Sequence, residues 1–172
     1  MGNLSLEEFT KDIFNITENT VYDVLERFEG SKDVDKSLTY IFIKAFYLHS
    51  LKLYMENKQK ADSFETIYLA YKEELKKYYK NNNSLISDDL LNDLIESFDK
   101  CFEMANSIQF NDITSDYEFR HHIVDEFELL KIILENKSKA QIRGDMFENY
   151  ISKFKREAEM IFEIFDNSRI IG

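Results

Sequence analysis

The chain contains no proline and only four glycines, so almost nothing in it interrupts an α-helix. The glycines are scattered at Gly2, Gly30, Gly144 and Gly172. A phosphate-binding loop and a dinucleotide-binding fingerprint both need several glycines close together, so the sequence excludes both. With so few helix breakers, the spacing of the apolar residues decides where helices lie, and no useful stretch alternates with the period of a β-strand.

Apolar residues recur at helical spacing in six segments, namely 5–29, 33–57, 62–80, 87–107, 115–136 and 138–166. The connections between them are short, which is typical of helices that pack against their neighbours in the opposite direction. The sequence therefore predicts an all-α fold, an antiparallel helical bundle of about five to six helices. Residues 1–172 form a single helical domain in this interpretation, because domains commonly hold about 100–200 residues.

Local signals mark the start of two of these segments. Ser5 and Glu8 have the spacing of a capping box, in which each side chain bonds the backbone amide of the other residue. Ser87 is the predicted N-cap of the fourth segment, and Asp88 and Asp89 follow it in the first turn, where the helix dipole favours negative charge.

Residues 38–55 are apolar on nearly every side, which predicts the central buried helix of the bundle. Lys44 and His49 interrupt this stretch, so it is a poor candidate for a membrane span. A buried Lys44 would have a lowered pKa and could act as a base or a Schiff-base amine. The alternative is that the aliphatic stem of Lys44 follows a groove and its ammonium reaches water. His49 is expected to be a core histidine with a satisfied hydrogen bond.

The charge balance restricts the partners of the chain. It has 22 Lys+Arg against 33 Asp+Glu, a net charge of −11, and no basic stripe, which argues against direct nucleic-acid binding. One cysteine cannot form a disulfide framework, and no basic-then-apolar leader is visible, so we expect a cytoplasmic protein that does not bind membranes. The Lys, Asn and Ile usage is typical of an AT-rich genome, as in many bacteria and phages.

An acidic face on the fourth segment is the predicted partner-binding site, and its residues are Asp89, Asp93, Glu96, Asp99 and Glu103. Such a surface favours basic proteins and speeds their encounter with the chain. No complete set of catalytic residues is present. We therefore expect a protein-binding module that regulates or neutralises a basic protein, of the immunity, inhibitor or adaptor type, with an enzymatic role less favoured but still open.

The fifth segment carries the predicted metal ligands, which are Glu118, His121, His122, Asp125 and Glu128. Glu118-x-x-His121 has the i, i+3 spacing that lets a carboxylate and an imidazole share one metal ion. It resembles half of the ferritin-like di-iron pattern, but the second half is missing because Phe46 stands three residues before His49. A divalent metal at these residues is the only cofactor that the sequence suggests.

A second metal hypothesis uses carboxylates alone. Glu96-x-x-Asp99 and Asp125-x-x-Glu128 lie on two different segments and have the oxygen ligands that Mg²⁺ prefers. The arrangement is similar to that of the all-α nucleotide pyrophosphohydrolases, which implies Mg²⁺-dependent hydrolysis of a nucleoside triphosphate by water. The phosphate-binding Lys and Arg of that family have no obvious counterpart in this chain.

Two further expectations come from apolar and aromatic surface. Tyrosines at helical spacing predict either core packing or a ligand pocket beside the central helix, and the second interpretation describes a small-molecule sensor. Residues 146–171 carry more apolar side chains than one terminal helix needs, so we expect a homodimer through this region.

Overall fold

A computed structural model of the chain describes residues 2–27, 36–106 and 144–171, and the structural statements below concern these ranges. The helices are α1 (Leu6–Ile16), α2 (Glu18–Arg27), α3 (Lys36–Asn57), α4 (Phe64–Asn82), α5 (Asp88–Asn106) and α6 (Gly144–Asn167). A 3₁₀ turn at Ala61–Ser63 precedes α4, and two short strands are β1 (Gly2–Ser5) and β2 (Ser168–Ile171). The predicted all-α fold is confirmed, whereas the predicted helix at 115–136 lies outside the described residues.

Helix α3 is the central helix, as the sequence predicts. Every residue from Tyr40 to Leu51 is buried, because α3 packs against α4, α5 and α6 and also against α2. None of the helices in the described ranges is both long and apolar enough to span a membrane.

Side-chain contacts give the direction in which the helices run. Tyr40, near the start of α3, stacks on Tyr78, near the end of α4, with ring centroids 4.5 Å apart, so these two helices are antiparallel. Tyr47 contacts Phe154 at a centroid distance of 5.8 Å, and Tyr54 stacks on Phe162 at 4.3 Å. Both contacts advance along the two chains together, so α6 runs parallel to α3.

The prediction of one continuous helix from residue 5 to residue 29 is wrong, because α1 ends at Ile16 and α2 begins at Glu18. Between them, the hydroxyl of Thr17 donates to the carbonyl of Phe14 at 3.1 Å. The buried ammonium of Lys44 also donates to that carbonyl, at 2.6 Å. In an uninterrupted helix the Phe14 carbonyl would accept mainly from the Glu18 amide, so these two extra donors explain the break.

The structure also contains a small pair of strands that the sequence analysis did not predict. Strand β1 pairs in parallel with β2, and Leu4 lies opposite Ile170. Four residues are too few to reveal a strand period in the sequence, and the pairing joins segments from the two ends of the chain. In the part of the chain that the structure describes, each strand of this pair has one edge without a partner strand.

The predicted helix caps are confirmed. The Ser5 amide donates to the Glu8 carboxylate at 2.8 Å, and the Glu8 amide donates to the Ser5 hydroxyl at 3.1 Å. These two bonds complete the capping box of α1 directly after β1 ends. At the start of α5, the Leu90 amide donates to the Ser87 hydroxyl at 3.2 Å.

Candidate functional site

The acidic face of α5 forms because the helix buries its opposite side. The buried side chains of α5 are Leu91, Ile95, Phe98, Cys101, Phe102 and Ala105. The exposed carboxylates on the other side are Asp89, Asp93, Glu96 and Glu103. Their spacing of i, i+4, i+7 and i+14 places them along one line of the helix surface, and we call these four residues the α5 stripe.

Asp99, the fifth predicted partner-binding residue, does not belong to this exposed line. Its carboxylate accepts the hydroxyl of Tyr68 at 2.5 Å and forms an ion pair with Lys72 at 3.1 Å. Burial and the Asp99 carboxylate raise the pKa of Tyr68 well above its usual range, which keeps the phenol protonated as a donor. Asp99 therefore joins α5 to α4 and is less available to a partner.

Most of the α5 stripe is not neutralised by other described residues. Glu96 pairs with Lys100 at 3.2 Å, but both side chains are largely exposed, and such pairs contribute little. Asp89, Asp93 and Glu103 form no ion pair with any described residue. Among the residues that the structure describes, the stripe therefore presents largely unpaired negative charge at exposed positions.

Two exposed leucines accompany the stripe at the N-terminal end of α5. Leu85 is 91% exposed and Leu90 is 50% exposed. Leu85 is held in the turn before the helix, where its amide donates to the side chain of Asn83 at 3.1 Å. Sequence reasoning missed this pair, although Leu90 falls outside the apolar face of α5 and could have been noticed for that reason.

Lys44 lies in the core, and its charge does not reach water, so the groove interpretation is wrong. Its ammonium donates to the Phe14 carbonyl and the Thr17 hydroxyl, each at 2.6 Å. It also pairs with the Glu18 carboxylate at 2.5 Å and lies over the Phe14 ring at 3.9 Å from the centroid. Burial lowers the pKa of Lys44 to about 8, and the Glu18 carboxylate opposes this shift. An ammonium has three donors, and three acceptors take all of them, which favours a structural role.

Carboxylates from α2 and α6 accept hydrogen bonds from tyrosines of α3. The Tyr40 hydroxyl donates to Glu18 at 2.6 Å. The Tyr47 hydroxyl donates to Glu157 at 2.7 Å, and the hydroxyl of Thr20 donates to the other oxygen of this carboxylate. Burial raises the pKa of Glu157, whereas the hydrogen bonds from Thr20 and Tyr47 oppose that shift.

The tyrosines of α3 stand seven residues apart and each one donates to a carboxylate. Tyr54 completes the series by donating to Asp166 on α6. Tyr71 on α4 behaves differently, since it is fully buried against Phe14 and Phe98 and its hydroxyl has no hydrogen-bond partner among the described residues. The three tyrosines of α3 and Tyr71 thus pack in the core.

The predicted metal ligands Glu118, His121, His122, Asp125 and Glu128 lie outside the described residues, so that site stays a prediction. Within the described ranges, no group of three or more His, Cys, Asp or Glu residues could hold a metal ion. His49 is buried with its ring edge-on to Phe102.

The dimer prediction for residues 146–171 is also untested. Phe154, Ile161, Phe162 and Phe165 are buried in the core of the chain itself, whereas Met160 and Ile171 are exposed. Much of the apolar surface that motivated the prediction is therefore already covered by α1 and α3.

No protein-family model matches this chain, and neither a curated protein nor a solved structure is significantly similar to it. What the α5 stripe and the buried polar groups do must therefore be argued from their own chemistry.

We expect Lys44→Met to lower the free energy of unfolding by about 3–5 kcal/mol, because Glu18 loses its ion-pair partner inside the fold. Urea denaturation measures this change. The double variant Lys44→Met/Glu18→Gln should recover at least half of the loss, since glutamine is neutral and still accepts the Tyr40 hydroxyl. A single variant as stable as the wild type would show that this ion pair does not hold α1 and α2 together.

Two tyrosine variants should have opposite effects on stability. Tyr71→Phe removes a buried hydroxyl without a partner, so we expect it to raise the free energy of unfolding by about 1 kcal/mol. Tyr47→Phe removes a donor from Glu157 and should lower it by about 1–3 kcal/mol. Both are measured by urea denaturation, and changes of the same sign in the two variants would contradict the assigned hydrogen bonds.

Stability should depend on pH in two ways. The pKa of Lys44 is about 8 in the folded chain against an ordinary value of 10.5, so the unfolded chain binds the proton more tightly and stability rises with pH through this window. The buried tyrosines have raised pKa values, so above about pH 10 the unfolded chain loses protons first and stability falls. In urea denaturation as a function of pH, Lys44→Met should lack the rise and keep the fall.

Proposed function

We propose that the chain is an acidic helical module that binds a basic protein and regulates or neutralises it, in the cytoplasm of a bacterium or of a cell infected by a phage. The observation that carries this proposal is the α5 stripe, a row of exposed carboxylates with two exposed leucines at its end. Single exposed leucines are common on protein surfaces, but two of them within six residues and next to unpaired charge are typical of an interaction surface.

The geometry of the stripe defines the chemistry of the partner. Asp89 and Glu103 are fourteen residues apart, which corresponds to about 21 Å along an α-helix. A partner surface with several Lys or Arg side chains over a similar length would meet the carboxylates. An apolar side chain at one end would cover Leu85 and Leu90. Charge complementarity of this kind raises the association rate, and the apolar contacts slow dissociation.

The buried ionisable groups support a binding role for the surface. Lys44, Glu18 and Glu157 direct their hydrogen bonds to groups of the same chain, so the most perturbed side chains hold helices together. The carboxylates of the α5 stripe, in contrast, are exposed, so a partner could reach them.

The test is affinity capture from lysate of the source organism at low salt, followed by a purified binding assay with the captured protein. The stripe variant neutralises the exposed carboxylates with Asp89→Asn, Asp93→Asn, Glu96→Gln and Glu103→Gln. The matched control removes the same charge elsewhere with Asp12→Asn, Asp62→Asn, Glu65→Gln and Glu163→Gln. We expect the stripe variant to weaken binding by about tenfold or more and the control by less than about twofold.

Salt and the leucines provide a second readout. Raising the salt concentration should weaken the wild type more steeply than the stripe variant, because exposed charges are screened. Leu90→Ala should lower the affinity and leave the salt dependence unchanged. Equal losses in the stripe variant and its control would show that only the net charge matters. Capture of no basic protein would also contradict the proposal.

A further inference from the structure

A groove of about 500 Å³ lies where β2 and the 3₁₀ turn meet the start of α4 and the end of α6. Its floor is apolar and is formed by Leu6, Ile67, Phe165 and Ile170. Ile67 and Phe165 are buried from solvent, and Leu6 and Ile170 are partly buried. A site of this volume with an apolar floor is in the range that binds small molecules.

Two cations also line this groove. Lys60 and Arg169 line the groove, both are exposed, and neither forms an ion pair with a described residue. Two cations that line one apolar groove and have no ion-pair partner among the described residues point to an anionic ligand. Asp166 is the acidic residue of the lining, and its carboxylate accepts the hydroxyl of Tyr54.

The backbone fixes where Lys60 stands. Gln59 has a φ of 57°, in the left-handed region that favours glycine. The amide of Lys60 donates to the Met55 carbonyl at 2.8 Å, and the amide of Gln59 donates to the Glu56 carbonyl at 3.0 Å. These two bonds form a Schellman motif that ends α3, so the backbone of Lys60 is ordered before any ligand arrives. Arg169 is ordered by the pairing of β2 with β1.

We propose that this groove binds an aliphatic carboxylate, with its hydrocarbon chain on the apolar floor and its carboxylate between Lys60 and Arg169. Charge-assisted hydrogen bonds from an ammonium and a guanidinium suit a carboxylate. The apolar floor selects a ligand with a hydrocarbon body over a free inorganic anion. The site shares no residue with the α5 stripe, so its test is independent of the proposed function.

The experiment is calorimetric titration of the full chain with decanoate below its micelle concentration, with decanol and decylamine as probes of the same length. We expect decanoate to bind, decanol to bind more weakly, and decylamine to show no binding. Lys60→Gln/Arg169→Gln should weaken decanoate binding by about tenfold or more and leave decanol binding unchanged. The control Lys80→Gln/Lys100→Gln removes the same charge away from the groove and should have no effect.

A second pair of variants tests the position of the hydrocarbon chain. Thr66 is exposed and lines the groove, so Thr66→Trp should fill it and reduce the binding of decanoate and decanol alike. Leu69→Trp lies one turn further along α4, outside the groove lining, and should not. The circular dichroism of both variants is compared with that of the wild type to check folding.

Three results would overturn the proposal. The first is absence of decanoate binding at submillimolar concentration. The second is decanoate binding that neither Lys60→Gln/Arg169→Gln nor Thr66→Trp weakens, or an affinity for decylamine equal to that for decanoate. The third is tighter binding of a tri-leucine peptide that is acetylated at its N-terminus and amidated at its C-terminus, because that uncharged ligand would make the groove a peptide site along the edge of β2.

Discussion

The buried ammonium of Lys44 is the interaction on which much of this fold depends. It takes one acceptor from the end of α1, one from the residue between the helices and one from the start of α2. A charged group in the core is costly unless such partners surround it, so α1 and α2 cannot separate from α3 without exposing an unpaired charge. The same contacts turn α2 so that Thr20 and Asp23 reach Glu157 and Lys153 on α6.

Carboxylates of α2 and α6 lie beside the central helix α3, which is buried on all sides, so they need hydrogen-bond donors from that helix. Tyrosines of α3 supply these donors, because a tyrosine fills the core with its ring and places one hydroxyl at the edge of the core. Along α3 the three hydroxyls at positions 40, 47 and 54 each meet a carboxylate of α2 or α6. Burial and the neighbouring carboxylates raise the pKa values of Tyr40 and Tyr47, so both hydroxyls stay protonated and can donate.

Sequence reasoning succeeded where one residue type and a local spacing decide the outcome. The capping box of Ser5, the N-cap at Ser87 and the all-round apolar character of α3 are such cases. It failed where the cause lies far away in the chain. The break at Thr17 depends on Lys44, the strand pairing depends on both ends of the chain, and the engagement of Asp99 depends on Tyr68. Helix periodicity predicts which face Asp99 is near, but only packing against α4 shows that Tyr68 and Lys72 reach it.

The charges of the described chain therefore divide into two populations with different roles. Glu18, Glu157, Asp99 and Asp166 accept bonds from tyrosine or lysine side chains and hold helices in place. Asp89, Asp93 and Glu103 of the α5 stripe, and the pair of Lys60 and Arg169, have no such partners among the described residues, and Glu96 forms only an exposed pair with Lys100. Charged side chains without such partners contribute to solubility, and they are available to bind a partner or a ligand. Solubility needs no particular arrangement. The proposed binding roles depend on arrangement, namely the alignment of four carboxylates on one helix face and the presence of two cations in the lining of one apolar groove.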